Sequence, residues 1–172
     1  MSNRILVTYA SRAGSTAEVA EAIGKTLSEV GLLVDVMSMN SVKDLSPYQA
    51  VVAGSAIRGS KWLPEAVQFI QTHRSALNQK RFAMFTVCIT MAMKNAENYL
   101  SGVMGWVAPV RAMVRPLSEG LFAGMLDFGK LPFNWDTLML RLTVALGIFP
   151  RGDHRDWNAI RSWAENLKPL LG

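Results

Sequence analysis

Two periodicities alternate through the first half of the chain, and this alternation restricts the possible fold more than any other feature. Ile5-Leu6-Val7-Thr8-Tyr9 is a continuous apolar, β-favouring run, the pattern of a strand buried on both faces. A polar, glycine-containing stretch from Ser11 to Thr16 follows, after which Val19, Ala20, Ile23, Leu27 and Val30 recur at helical spacing until Gly31 stops them. Residues 32–37 and 50–55 repeat the strand pattern, and the stretch between them has room for only a turn or two of helix. A further helix opens at Pro64 and gathers Ala66, Val67, Phe69, Ile70 and Leu77 on one face before a fourth strand at 82–88. Strands separated by helices pair in parallel through right-handed crossovers, so the expected fold class is α/β, a doubly wound parallel sheet with helices on both faces. Such sheets bind ligands beyond the carboxyl ends of their strands, where strand order reverses, and that rule brings loops 10–16, 55–63 and 88–95 together.

The second half is less regular. Residues 93–114 read as a helix with Leu100, Val103, Met104, Val107 and Val110 near one side, although Gly102, Gly105 and Pro109 weaken it. Residues 120–125 are the expected fifth strand, and 126–152 form a long apolar insertion before the last helix. That helix turns Trp157, Ile160, Trp163, Ala164 and Leu167 inward after a cap at Asp153 or Asp156. A length of 172 residues, half of them apolar, suits one domain spanning 1–172.

Trp135 to Leu146 carries only Asp136 and Arg141 as charges. Its side chains either complete the core or leave an exposed apolar patch over 135–149, and the density of large residues favours the patch. Arg111, Arg115, Arg141 and Arg151 are then nearby candidates for anionic headgroups or carboxylates.

Cys88 is the single cysteine, which excludes an internal disulfide and points to a reducing, cytoplasmic compartment. At the end of a strand it reads as an inert core thiol. No apolar stretch reaches the roughly 20 residues of a spanning helix, so the expectation is a soluble or peripheral protein. A net charge of +5 favours anionic ligands, partners or the inner face of the cytoplasmic membrane. Nucleic acid is not expected, because no basic stripe interleaves with aromatics. His73 and His154 lack any ligand pattern, so no metal site is expected.

The strongest local signal is Thr8-Tyr9-Ala10-Ser11-Arg12-Ala13-Gly14-Ser15-Thr16, between a buried strand and a helix start. A phosphate needs convergent donors, and this loop offers backbone N–H groups, hydroxyls, Arg12 and the positive end of a helix dipole. Ser15 or Thr16 merely capping the helix is the plainer reading of the same residues. The loop lacks both G-x-x-x-x-G-K-[ST] and G-x-G-x-x-G, which disfavours a nucleoside triphosphate or a dinucleotide and leaves a mononucleotide phosphate.

In this position Ser11, Arg12, Ala13, Gly14, Ser15 and Thr16 resemble the Ser/Thr-rich FMN-phosphate loop of the flavodoxin family. The resemblance implies a flavodoxin-like sheet of strand order 2-1-3-4-5 with FMN held non-covalently at its C-terminal edge. Gly54-Ser55-Ala56-Ile57-Arg58-Gly59-Ser60-Lys61-Trp62-Leu63-Pro64, the 126–150 excursion and the 152–157 approach to the last helix are similar to one branch, the bacterial menaquinone-dependent protoporphyrinogen oxidases. That branch implies an FMN-dependent oxidoreductase passing electrons from protoporphyrinogen or another hydrophobic substrate to a quinone. No catalytic acid or base is identifiable.

Around the flavin ring, Ser55, Ala56, Ile57, Arg58, Lys61 and Trp62 are the candidates from the second loop, with Ile57 and Trp62 as apolar or stacking surfaces. Positive charge from Arg58 and Lys61 near the ring raises a flavin's reduction potential. Trp62 packed on the adjacent helix and Lys61 solvated are the plainer readings of the same two residues. The third loop offers Ile89, Thr90 and Met91, although Cys88-Ile89-Thr90-Met91-Ala92-Met93 departs from the acidic, aromatic segment of ordinary flavodoxins. Two other functions stay open: an electron carrier without its own substrate, which a positive net charge disfavours, and a cofactor-free binding module. Homo-oligomerisation also stays open.

Overall fold

The computed structural model describes residues 4–130 and 134–172. The chain starts with β1 (Arg4–Ala10) and α1 (Ser15–Glu29), followed by β2 (Leu33–Ser38) and β3 (Tyr48–Ala56). Next come α2 (Pro64–Thr72), the single turn α3 (Arg74–Leu77) and β4 (Arg81–Cys88). After two 3-10 turns at 89–92 and 96–99, α4 (Leu100–Met113) leads to β5 (Ser118–Ala123). The remainder holds β6 (Met125–Leu126), α5 (Trp135–Ala145), β7 (Gly152–Asp153) and α6 (Trp157–Leu171).

The sheet is parallel throughout, as the alternation of periods predicts, and its order β2-β1-β3-β4-β5 is the one the flavodoxin resemblance implies. Alternating side chains divide its interior into two cores. Ile5, Val7, Val52 and Phe85 face α1 and α6, whereas Leu6, Val51, Phe82 and Met84 face α2 and α4. β1 is neighboured by β2 on one side and β3 on the other, so the chain's first crossover leaves one way and its second the other. The reversal point lies at the C-terminal end of β1, and that is where a ligand of a doubly wound sheet belongs.

The segment between β2 and β3 forms only a 3-10 turn at 39–41, within the turn or two expected, since Pro47 and the short span leave no helix room to propagate. Three expectations need correction. The 93–114 helix begins at Leu100 and runs unbroken through Pro109. Its buried face is Val103, Val107 and Val110, while Leu100 and Met104 are exposed. The fifth strand is Ser118–Ala123 and not 120–125, because its polar first residues hide a start set by the Leu117 N–H donating to the Phe82 carbonyl.

The chain leaves the sheet at Gly124, where a Cβ would stand 3.4 Å from the backbone nitrogen of Ile89, and Met125–Leu126 pair antiparallel with Gly152–Asp153. The apolar insertion is therefore closed at its base by a two-residue clasp. Asp156, one of two expected caps, starts α6 by accepting from the N–H groups of Asn158 and Ala159. Ile160, Ala164 and Leu167 are buried as expected, with Trp157 and Trp163 half-buried at the margin. Among the described residues, no helix is long and apolar enough to cross a membrane.

Candidate functional site

A cavity of about 270 Å³ opens at the C-terminal edge of the sheet, where the three expected loops converge. Ser11, Arg12, Ala13 and Ser15 line one end, Ala56, Ile57 and Arg58 come from the second loop, and Ile89 from the third. The loop after β1 makes one end polar. The body is apolar, closed by Leu63 and Val87 from the scaffold and by Met125, Leu126 and Leu140 from the insertion. The arrangement suits an amphipathic molecule with one anionic end.

The loop after β1 is built to present its backbone. Gly14 sits at φ 87°, a left-handed conformation that an L side chain adopts only with strain, and its N–H donates to Ser11 Oγ at 3.0 Å. Neither Ser15 nor Thr16 caps α1, so its first-turn N–H groups have no capping side chain. Thr16 is fully buried, and its hydroxyl has no hydrogen-bond partner. An orphaned hydroxyl beside uncapped N–H groups at a positive helix end is the donor set a phosphate dianion requires. Arg12 is held by Glu65 at 3.0 Å, in the first turn of α2, so its charge enters the site already shared with a carboxylate.

The second loop folds back on itself. Ile57 bridges Trp62, the Arg58 N–H donates to the Lys61 carbonyl at 2.9 Å, and Gly59 and Ser60 both take positive φ, the signature of a type I′ turn. This geometry revises three candidates. Trp62 is only 1% exposed and donates its indole N–H to Thr86 Oγ1 at 2.9 Å, so it is a core residue and offers no stacking surface. Ser55 is fully buried, its hydroxyl donating to the Ala56 carbonyl and accepting from the Leu63 N–H, which fixes the start of α2. Lys61, beyond the turn, is exposed and does not line the cavity.

Gly14 and Thr16 stand behind the cavity's lining residues, and neither Thr90 nor Met91 lines it. Thr90 is 8% exposed within the 89–92 turn, and only Ile89 of the third loop reaches the cavity wall. Among the arginines, Arg111 is committed to a two-pronged pair with Glu119 at 2.6 and 2.7 Å, which holds its pKa above the usual value and binds α4 to β5. Arg141 and Arg151 instead approach the Phe128 ring, at 5.2 and 5.9 Å from its centre.

Sequence reasoning missed the insertion's share of the wall. Thr137 and Leu140 of α5 face the cavity, and Thr137 is 4% exposed, tied through its N–H and hydroxyl to the cap residue Asn134. The other side of α5 leaves Trp135, Leu138, Met139, Leu142 and Leu146 exposed as one stripe. Arg155 was also missed. Its side chain is 3% exposed and bonds Glu18 at 2.7 Å, Asp153 at 2.6 Å and the Ser15 carbonyl at 3.2 Å, with the guanidinium 4.5 Å from the centre of the Trp157 ring. A helical or strand period could not have marked it, since it lies in an irregular approach to α6.

Comparison with known proteins adds to this geometry. A flavodoxin domain family model matches residues 6–147, most of the chain. The chain belongs to the flavodoxin domain family. This flavodoxin domain is 21% identical over 97% of its length to the protoporphyrinogen IX dehydrogenase (quinone) of Escherichia coli strain K12, covering 96% of that protein. Among solved structures, a flavodoxin from the domain Archaea matches with a TM-score of 0.56 at 20% identity, with 98% of each chain covered. The two-electron reduced Megasphaera elsdenii flavodoxin matches with a TM-score of 0.56 at 12% identity, covering 94% of this chain and 98% of that one. Those structures share the fold of this flavodoxin domain, whose sheet order is the one described above.

Proposed function

We propose that the chain holds FMN in this cavity and serves as an FMN-dependent oxidoreductase for a hydrophobic substrate, protoporphyrinogen IX foremost, with a quinone as electron acceptor. The observation that carries the reading is the cavity itself, polar where Ser11, Arg12 and Ser15 line it in front of the uncapped start of α1 and the orphaned Thr16 hydroxyl, apolar elsewhere. Ser11, Ser15 and the first turn of α1 hold the phosphate, with the buried Thr16 hydroxyl behind them as a further donor. Ala56, Ile57 and Ile89 exclude water from the ring end, and Arg58 supplies positive charge there. Bound in this place, FMN supplies a redox centre for two-electron oxidation of an organic substrate.

The insertion gives the reading its substrate class. Leu140 presents an apolar wall to the cavity while the opposite stripe of α5 is exposed, so the same helix borders the site and offers a face to a bilayer. Peripheral contact through 135–149 places the opening next to the phase in which quinones and porphyrinogens dissolve. Arg141 and Arg151, gathered on Phe128, suit lipid phosphates or substrate carboxylates.

A second reading, a flavodoxin-type electron carrier, is favoured by the likeness to flavodoxin structures; a net charge of +5 speaks against docking to the basic partners that acidic carriers serve. The test is FMN titration followed by an anaerobic assay with protoporphyrinogen IX and menaquinone, compared with nicotinamide donors. Substrate-dependent menaquinone reduction by the FMN-loaded protein is the expected result. FMN uptake without it favours the carrier, and no FMN uptake leaves a binding module.

A further inference from the structure

The geometry points to Arg155 as a positioning residue that keeps the anion-binding end of α1 competent by cancelling Glu18. This inference rests on the FMN reading above and concerns how the chain tolerates a carboxylate beside the phosphate site.

Glu18 is in the first turn of α1, and its N–H donates to the Gly14 carbonyl, so its carboxylate belongs to the same helix end that is to receive a phosphate dianion. A first-turn carboxylate is attracted to the positive end of the dipole and there competes with any other anion. Arg155 meets Glu18 with a 2.7 Å charge-assisted bond and also donates to the carbonyl of Ser15, a residue of the cavity wall. On its other side the guanidinium engages Asp153 in two bonds, at 2.8 and 2.6 Å, and lies 3.7 Å from the sulfur of Met125, also a wall residue. One buried cation thus stands behind both the phosphate loop and the insertion. Its charge is shared by two carboxylates that are themselves 43% and 40% exposed.

Without the guanidinium, Glu18 keeps an uncompensated negative charge in the first turn of α1, with Asp153 no longer neutralised beside it, and like charge at short range disfavours a dianion in partly desolvated surroundings. The penalty falls on the phosphate and not on the ring. Riboflavin, which shares the ring and ribityl chain of FMN but carries no phosphate, therefore separates charge cancellation from general damage to the fold.

The experiment measures FMN and riboflavin affinity by flavin fluorescence quenching for the wild type, Arg155→Met, Glu18→Gln and the double variant. Methionine keeps an apolar stem against Trp157, and Glu18→Gln alters a partly exposed side chain, so the second variant reports even if the first folds poorly. Arg155→Met is expected to weaken FMN by about tenfold and riboflavin by less than about twofold. Glu18→Gln alone is expected to bind FMN as tightly as the wild type or tighter, and to restore most of the lost affinity in the double variant. Equal losses for both flavins, or no restoration by Glu18→Gln, overturn the inference and leave Arg155 a purely structural clamp. A wild type that takes up neither flavin overturns the cofactor reading instead.

Discussion

Thr16 has the sharpest consequence of any single residue. A fully buried hydroxyl without a partner costs an unliganded protein roughly 1–3 kcal/mol of desolvation, yet the same group bonded to a charged phosphate contributes about 1.5–3 kcal/mol to binding. Thr16→Val keeps the shape and removes the oxygen. The unliganded variant is expected to melt at or above the wild-type temperature while FMN affinity falls by about 1.5–3 kcal/mol in calorimetric titration; an unchanged affinity removes Thr16 from the site. This residue was legible in the sequence as a loop hydroxyl, but its burial and lack of a partner were not. Trp62 shows the opposite case: an aromatic in a glycine-rich loop looks like a stacking surface until the type I′ turn tucks it against Thr86.

At the scale of elements, spacing revealed α1, α2 and α6 and the first four strands because each buries a face at a regular period. It could not say which face of α5 turns inward, since apolar residues occur on both. The structure divides them, Leu140 toward the cavity and Leu142 and Leu146 outward at 51% and 68% exposure. Replacing Leu142 and Leu146 by Glu is accordingly expected to change folding stability by no more than about 0.5 kcal/mol per site while abolishing sedimentation with anionic lipid vesicles. Vesicle binding that survives the double change rules out this helix as the membrane face; failure to fold places it in a core the structure does not show. The fifth strand was misplaced by two residues for a related reason: its first residues, Ser118 and Glu119, are polar, and Gly124-Met125 continues the apolar pattern after the chain has left the sheet.

Across the whole molecule, the joint between sheet and insertion depends on charge and therefore on pH. The Arg155 guanidinium, by hydrogen bonding Asp153, holds that carboxyl below its ordinary value of 3.8. A depressed carboxyl stabilises the fold at all pH values above its unfolded pKa, and the contribution disappears as the pH drops through the folded value, so the loss falls below about pH 4. Asp153→Asn is expected to lower the urea midpoint at pH 7 slightly, the carboxylate being 40% exposed, and to flatten the decline between pH 4 and pH 2. An unaltered acid limb would show that the joint is held by packing alone. Since Leu126 and Gly152 are paired across the clasp, the excursion departs and returns at neighbouring points. A segment tethered in that way is a cassette: descent can lengthen it, trim it or trade it for another without retuning the strands beneath.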